Sequence, residues 1–546
     1  MRLSNLAFFL IFVIGILLRV WNLGVIPEWD WDDGVNMNIA WNLINGRLQW
    51  FSLGYVFVPH PPLFFIILGV LLKVFGNEVL VLRSLTVMYS LATLIFVYLI
   101  GKEIFNRNTA LLAGFIFAIY PDAIYWDRIG FANTQLMFFS LISLYFVLRF
   151  FHQKRDLWIY LASIAVGLST ITEFQGIMFL ISLLLIFLIY ERKNFPRVFL
   201  LSSSFFIIFI VIMLFLFPDA FIHDMNFQLE RFGLLSIFLS MFHYLIFLII
   251  SLIVIYFTRN WIKEIYLNSV KKIALFINLM DLRGFFSIII FFSLFAINSV
   301  LAFSILRPFS DEILFHGITY FWLGILGIFL IDRKMGRNIL LLFFLPIFLF
   351  ILKIGRSDHM LIPLYPFLSL GMAIFLQRIF DFLNSFSRFR ILSVAILILL
   401  LYPFTFLLYQ DVSAFIFGNG LIAEDIEGRY EVAEFVNNYI DNDDIVIADS
   451  HLCRLIKCKT SVLLQVVAID GSKIAYMAPD YGKDRFVFNC SYSNAKFIII
   501  SSKGMEWMEE NAKENEKVKE IYKEIENWQL VEINGYGIYR NPALSQ

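Results

Sequence analysis

The first polar segment of the sequence carries four carboxylates within six positions, Glu28, Asp30, Asp32 and Asp33, with Asn36 three residues further on. Carboxylates this close together repel one another, and charges beside a bilayer are costly, so the cluster suggests a functional site. One carboxylate can act as a general base that takes the proton of an attacking hydroxyl, which typically contributes roughly 10² to 10⁴ in rate. The alternative is a solvated loop whose tryptophans form an interfacial aromatic belt.

The composition identifies the protein class in which this cluster must work. The chain has 546 residues, of which 60% are hydrophobic and 16% charged, whereas soluble domains are about half apolar and a quarter charged. Solid apolar runs recur up to Tyr409, and such runs span bilayers as helices rather than as barrel strands. Lys plus Arg equals Asp plus Glu, so the charge indicates no nucleic-acid partner. The sequence therefore predicts an all-α polytopic protein of the lipid bilayer.

The apolar runs define the predicted helices. We predict about thirteen transmembrane helices, at 6–18, 79–100, 110–124, 136–151, 159–171, 177–190, 198–217, 235–257, 285–306, 318–331, 339–352, 360–376 and 391–409. The run 63–75 follows Pro61 and Pro62 and is too short to span, because a span needs about 20 residues. We assign it to an interfacial or re-entrant helix within the first external loop, residues 24–78.

Positive charges predict the sidedness of these helices. Short cytoplasmic loops collect Lys and Arg, and one alternate set of connections is rich in both, including Lys154 with Arg155 and Arg192 with Lys193. The opposite set holds mostly single arginines. We therefore expect a multi-pass protein of the plasma membrane with a cytoplasmic N-terminus and an external segment after Tyr409.

Residues 411–546 have the composition of a soluble α/β domain. The pattern predicts helices at 427–439 and 505–525, strands at 444–448 and 495–501, and a terminal hairpin of 529–533 with 536–540 around Asn534-Gly535. The three cysteines, Cys453, Cys458 and Cys490, lack zinc-ligand spacing. Either Cys453 and Cys458 form a disulfide or the thiols are unpaired.

Asp32, Asp33, Asn36 and Ala40 resemble the first-loop motif of the GT-C glycosyltransferases, of which the protein-mannosyltransferase and aminoarabinose-transferase group is the most similar branch. The likeness covers about residues 10 to 150, and a weaker one lies near Arg356. The residues that carry it further along are His60-Pro61-Pro62-Leu63, Gly69, Phe75-Gly76, Leu82-Arg83, Gly101-Lys102, Phe105, Ala110, Ala113 and Pro121, then Arg356, His359, Pro363, Tyr365 and Pro366.

Two departures from the family pattern are visible. The acidic pair is Asp-Asp where the family has Asp-Glu, and Asn133 stands where the family often has an acidic residue. Asp122 and Asp127 lie close enough in sequence to compensate. The second departure puts in doubt a divalent cation held between two loops, so no metal site is assigned and a divalent cation stays an open possibility.

The resemblance implies a catalytic membrane domain over 1–410 that moves a sugar from a polyprenyl (dolichyl) phosphate to an acceptor hydroxyl on the external face, with inversion. It implies Asp32 as the base, with Asp33 orienting it or contacting the acceptor. Cationic side chains that hold the departing phosphate are expected. The candidates are His60, Arg356 and Arg128 for the donor phosphate, and Asn36, Asp127, Asn133 and His359 for the acceptor or accessory roles. The acceptor is a protein, a lipid or a glycan.

Two other classes stay open. A transporter or channel would use the carboxylates as an external acidic vestibule, although such proteins place polar sites near the midplane, often in repeats. Midspan charges are sparse here. An oligosaccharyltransferase is a nearer alternative, but the Trp-Trp-Asp signature of its soluble domain is missing after Tyr409.

Overall fold

The structure is a computed structural model. It describes residues 3–27, 29, 31–45, 60–76, 78–231, 323–325, 327–331, 334–354, 358–384, 426–469, 471–472, 486 and 488–544. The chain forms two compact units. The first comprises Met1–Asp224, Leu323–Leu352 and Ser357–Gln546, and the second comprises Met225–Trp322 and Lys353–Arg356. Every side-chain contact described below lies in the first unit.

Helices make up the membrane part. Their bounds are α1 Leu3–Val20, α2 Trp31–Ile44, α3 Leu63–Phe75, α4 Val79–Ile104, α5 Arg107–Ala118, α6 Pro121–Asp127, α7 Ala132–Gln153, α8 Asp156–Thr170, α9 Gly176–Tyr190, α10 Phe195–Leu216, α11 Pro218–Arg231, α12 Lys334–Ile354 and α13 Tyr365–Asn384. Five described helices are long and apolar enough to span a membrane, or six if a bent pair counts as one span. The predicted total of about thirteen is not confirmed, since 235–257, 285–306 and 391–409 lie outside the described residues.

The predicted span 110–124 is broken in two. α5 and α6 meet at an angle of 58°. Tyr120 has an extended backbone at the junction and Pro121 begins α6. Proline has no backbone N–H and disfavours helical geometry in the residue before it, so a continuous helix stops here. The break delivers Asp127 and Arg128 to the region where α1 ends.

The first external segment contains a buried helix where the sequence suggested a loop. Nine of the 14 residues of α2 are buried. A Cβ on Gly69 of α3 would lie 2.6 Å from the Ala40 carbonyl oxygen, and a Cβ on Gly34 would lie 2.5 Å from the Ser450 carbonyl carbon. Glycine at both positions therefore allows backbones to approach from two sides. The prediction of a loop from Gly24 to about Pro62 is therefore wrong over Trp31–Ile44, whereas the separate short helix over 63–75 is found.

The C-terminal domain is built on a small mixed sheet. Its strands are β1 Ile445–Ile447, β2 Lys459–Ser461, β3 Phe497–Ser501, β4 Gln529–Ile533 and β5 Tyr536–Arg540, in the order β2-β1-β3-β5-β4. β1 runs parallel to β2 and β3, and β3 runs antiparallel to β5. The predicted hairpin is confirmed, with Asn534 and Gly535 both at positive φ as a two-residue turn requires.

Helices of this domain are α14 Ile426–Asn437, α15 Leu463–Ile469, α16 Ser502–Asn511 and α17 Glu516–Ile525. The single helix predicted over 505–525 is in fact two helices, because Asn515 caps α17 by accepting hydrogen bonds from the Lys517 and Val518 amides. The three cysteines, all of them described, form no disulfide. Burial raises the pKa of Cys453 and that of Cys458 to about 12.

Candidate functional site

Asp33 is a fully buried carboxylate with a fixed ion-pair partner. Its side chain is 0% exposed, and its Oδ2 accepts from Arg83 Nη2 at 2.7 Å and from Arg83 Nε at 3.2 Å. Arg83 also donates to the carbonyls of Leu23 and Pro27. Because a buried charge is tolerated only when it is paired and hydrogen-bonded, this pair ties the start of α2 to α4 and to the segment that follows α1.

The backbone of Gly130 forms hydrogen bonds with two side chains of the acid motif. Its amide donates to Asp33 Oδ1 at 2.8 Å, and its carbonyl accepts from Asn36 Nδ2 at 2.8 Å. Asp33 and Asn36 are three residues apart and therefore lie on one face of α2. A Cβ on Gly130 would lie 2.2 Å from a methyl carbon of Leu82. Asp33 and Asn36, which the sequence analysis placed in one motif, thus both hold the backbone of Gly130 between α6 and α7.

Asp32 precedes Asp33 in the first turn of α2 and is only partly buried. Successive helical residues point about 100° apart, so the two adjacent carboxylates have different surroundings. The positive end of the helix dipole favours a charged carboxylate at this position. Asp32 is the member of the pair that solvent, and by extension a substrate, can reach.

Arg128 and Asp127 position the segment after α1. Arg128 is buried and donates to the carbonyl oxygens of Leu18 at 2.8 Å and of Ile26 at 2.7 Å. Asp127 accepts from Arg19 Nε at 2.9 Å and from the Ser90 hydroxyl. The guanidinium of Arg128 therefore serves backbone carbonyls here, and its role toward a phosphate stays a hypothesis.

The two predicted histidines lie on aromatic rings near the same segment. His359 stacks on Phe131, with ring centroids 4.4 Å apart and planes at 7°. His60 lies just before α3, 5.5 Å from the Phe65 ring centroid, and interacts electrostatically with His359. Burial lowers the pKa of His60 to about 4, so its imidazole is neutral at pH 7. Arg356 lies outside the described residues.

Asn133 connects α7 to the turn between α8 and α9. Its Nδ2 donates to Gln175 Oε1 at 3.3 Å, and the Leu63 amide donates to the Ile171 carbonyl at 2.9 Å. Glu173 lies two residues before Gln175, and its carboxylate has no role predicted from the sequence. Burial raises the pKa of Glu173 to about 7. Asn133, which stands where the family often has an acidic residue, is thus bonded to the turn that carries the Glu173 carboxylate.

The raised pKa of Glu173 predicts a pH effect on stability. Folding favours the protonated carboxyl, so stability is lost as pH rises from about 4.5 toward 7, by up to about 3 kcal/mol. Glu173→Gln should therefore melt higher than the wild type at pH 8 and similarly at pH 4.5, measured by thermal unfolding in detergent. Glu514→Gln, on the exposed part of the C-terminal domain, is the matched control. Equal melting temperatures of Glu173→Gln and wild type at pH 8 would contradict the prediction.

A cavity of about 550 Å³ lies where the C-terminal domain meets the first external segment. Trp29, Trp31 and Tyr125 line one side, and the ends of β1 and β3 line the other. The Ser450 hydroxyl donates to the Trp31 carbonyl at 2.6 Å. The cavity is therefore adjacent in sequence and space to the turn that carries Asp32. Sequence reasoning missed it, because its walls come from segments more than 300 residues apart.

No group of three His, Cys, Asp or Glu side chains within the described ranges has the arrangement needed to hold a metal ion. Two of the predicted site carboxylates, Asp33 and Asp127, form ion pairs with Arg83 and Arg19.

Residues 59–218 match the family model described as dolichyl-phosphate-mannose-protein mannosyltransferase. An uncharacterised protein of Aquifex aeolicus is 27% identical over 169 residues, which are 30% of this chain and only 34% of that protein. The oligosaccharyltransferase AglB of Archaeoglobus fulgidus, solved with an inhibitory peptide and a dolichol-phosphate, matches with a TM-score of 0.56 at 15% identity, over 91% of this chain and 69% of its own.

ArnT of Cupriavidus metallidurans covers 99% of both chains in its apo state, with a TM-score of 0.54 at 12% identity. Its complex with undecaprenyl phosphate covers 99% of this chain and 98% of its own, with a TM-score of 0.50 at 12% identity. The chain has the GT-C glycosyltransferase fold. The predicted resemblance is thereby confirmed. Because the sequence identities are only 12–15%, the structural matches show the fold alone.

Proposed function

We propose that the protein is an integral membrane glycosyltransferase that moves a sugar from a polyprenyl-phosphate donor, of which dolichyl phosphate is one form, to an acceptor hydroxyl on the external face. The single observation that carries the proposal is the division of labour in the acid pair. Asp33 is buried in an ion pair with Arg83 and a hydrogen bond from the Gly130 amide, while Asp32 stays partly exposed at the start of α2. The match of residues 59–218 to a mannosyltransferase model supports the same reaction class.

The donor is inferred from the relatives. AglB was solved with a dolichol-phosphate and ArnT with undecaprenyl phosphate. A sugar ester of such a phosphate already has a good leaving group. The acceptor oxygen attacks the anomeric carbon, the bond from that carbon to the phosphate oxygen breaks, and the acceptor proton passes to Asp32. Direct attack from the opposite side inverts the anomeric configuration.

Departing phosphate needs hydrogen-bond donors, and charged donors hold it best. We propose Arg356 as the cationic donor and His60 as a neutral N–H donor, since the pKa of His60 is about 4. Arg128 would act mainly by fixing the loop through its carbonyl bonds. Asn36, Asp127, Asn133 and His359 would shape the site through the contacts described above.

The experiment that tests this proposal is a release assay. Purified full-length protein in liposomes is given undecaprenyl-phosphate-linked and dolichyl-phosphate-linked mannose, glucose or aminoarabinose together with an extract of host glycans and lipids. Mass spectrometry should detect free polyprenyl phosphate and a product heavier by one sugar. The acceptor extract is also prepared from cells that lack the gene. If no donor then yields a sugar-bearing product, the proposal is contradicted.

We propose a cytoplasmic N-terminus and an external C-terminal domain, because the lysine-rich connections such as 154–155 and 192–193 belong to one set of loops. In a Cys458→Ser background, Glu514→Cys should react with a membrane-impermeant maleimide in intact cells, whereas Arg155→Cys should react only after permeabilisation. Both positions are exposed. The reverse pattern of labelling would contradict this orientation.

A further inference from the structure

We propose that the cavity at the carboxyl ends of β1 and β3 binds the acceptor and that this acceptor is a saccharide. This inference rests on the proposed function and names the substrate class of the same site. In open α/β sheets, ligands bind in the crevice beyond the carboxyl ends of parallel strands. β1 and β3 are parallel neighbours, and their following residues line a cavity of about 550 Å³, which is within the roughly 300–1,000 Å³ of small-molecule sites.

His451 supplies an independent sign of a ligand. Its side chain is 7% exposed and lines the cavity. Nε2 lies 3.3 Å from the Tyr536 hydroxyl, whereas Nδ1 has no hydrogen-bond partner among the described residues. Buried polar groups are nearly always hydrogen-bonded, so an orphan nitrogen at a cavity wall indicates a missing partner. A ligand hydroxyl becomes this partner, as donor or as acceptor, when a turn of the buried imidazole brings Nδ1 to the cavity.

The remaining wall residues favour a sugar over other ligands. Trp29, Trp31, Trp507 and Tyr125 present aromatic surface, and the charged side chains at the wall are Asp449 and Lys503. The apolar C–H faces of a pyranose ring pack against such aromatic rings, and its hydroxyls form hydrogen bonds with the polar side chains. One carboxylate opposite one ammonium gives no net attraction for an anion, and burial keeps the pKa of His451 well below its usual value. A phosphorylated ligand is therefore disfavoured.

The cavity is mechanically linked to the predicted base. The backbone of Ser450 and His451 packs against Gly34, so closely that a Cβ there would lie 2.5 to 2.6 Å from it. The Ser450 hydroxyl is bonded to the carbonyl of Trp31, the residue before Asp32. A saccharide held by residues 449–451 thus lies beside the first turn of α2. From there its hydroxyl would reach the carboxylate of Asp32, the residue that follows Trp31, and transfer its proton to it.

Binding is tested without turnover. Full-length protein carrying Asp32→Asn, in nanodiscs and without donor, is titrated with a panel of mono- to tetrasaccharides of glucose, mannose, galactose and N-acetylglucosamine, and tryptophan fluorescence and native mass spectrometry report binding. At least one saccharide should bind, and Trp507→Ala should weaken it at least about tenfold. Trp158→Ala, far away in α8, is the matched control and should leave binding unchanged.

His451→Gln keeps a polar atom near the Nε2 position that faces Tyr536 but removes the Nδ1 position. It should retain the melting temperature and lose at least about tenfold in saccharide affinity. His451→Asn, which keeps the Nδ1 position, should bind better than His451→Gln. Binding of short peptides or of inorganic phosphate at this cavity, with no saccharide bound, would overturn the proposal. So would saccharide binding that Trp507→Ala and His451→Gln leave intact.

The two proposals fail in different ways. Sugar release that depends on Asp32, together with no saccharide binding to the Asp32→Asn protein, would overturn the saccharide acceptor and leave the transferase. Saccharide binding that is lost in Trp507→Ala, together with no transfer from any donor, would support the cavity as a saccharide site and contradict the transferase.

Discussion

Asp32→Asn should lower sugar transfer by roughly 10² to 10⁴, the usual range for removal of a general base, with little change in the melting temperature. Asparagine has nearly the same volume as aspartate but cannot take the acceptor proton. Asp32 is only partly buried, whereas Asp33 is fully buried, so a substitution at Asp32 should disturb the packing less. The measurement is the initial rate of polyprenyl phosphate release by purified protein in liposomes, with thermal unfolding of the same preparation.

A matched control exists in α8. Asp156 is likewise in the first turn of its helix and is exposed, paired with Arg197, so Asp156→Asn makes the same chemical change at a helix start away from the site. It should transfer sugar at the wild-type rate. Turnover of Asp32→Asn within a few-fold of the wild type would remove Asp32 from the role of base.

Asp33→Asn should instead unfold the protein or lower its free energy of unfolding by about 3–5 kcal/mol, because it leaves the buried Arg83 guanidinium without its counter-charge. Asparagine keeps only one acceptor oxygen, so it can serve the Gly130 amide or the Arg83 guanidinium but not both. Thermal unfolding in detergent and yield of monodisperse protein report the effect. Any fall in transfer would then follow the fraction of folded protein.

Two controls separate this mechanism from a general effect of losing a carboxylate. Glu103 and Arg149 form a partly exposed pair, and Glu103→Gln should cost only about 0–1 kcal/mol. Asp33→Leu with Arg83→Met should recover part of the stability lost in Asp33→Asn, since no charge is left stranded. Wild-type stability of Asp33→Asn would contradict the structural role.

The acid motif shows how much of the site can be predicted from the sequence. Residue types and order were sufficient to identify Asp32, Asp33 and Asn36 as one constellation and to suggest the GT-C fold. The partner of Asp33 was already part of the resemblance as Arg83, yet no local pattern connects residues 50 positions apart. The different surroundings of two adjacent carboxylates follow from helical geometry, which required the knowledge that 31–44 is a helix.

Other differences have the same physical origin. Arg128 was predicted to hold phosphate because a guanidinium group suits oxyanions, and that role stays a prediction. The sequence did not reveal that the buried carbonyl oxygens of Leu18 and Ile26 need hydrogen-bond donors, which Arg128 supplies. The terminal hairpin was predictable because Asn-Gly is a local turn signal. The strand Lys459–Ser461 was not predictable, because three polar residues carry no hydrophobic periodicity and their strand is defined by pairing with β1.

The most direct test of the central claim uses the native host. Deletion of the gene, followed by mass spectrometry of extracted polyprenyl-phosphate sugars and of envelope glycans, should show one lipid-linked sugar accumulating and one glycan or glycoconjugate lacking that sugar. The wild-type gene should restore both and the Asp32→Asn gene neither. Unchanged carrier lipids and glycans after deletion, or full restoration by Asp32→Asn, would contradict transfer from a polyprenyl-phosphate sugar by Asp32.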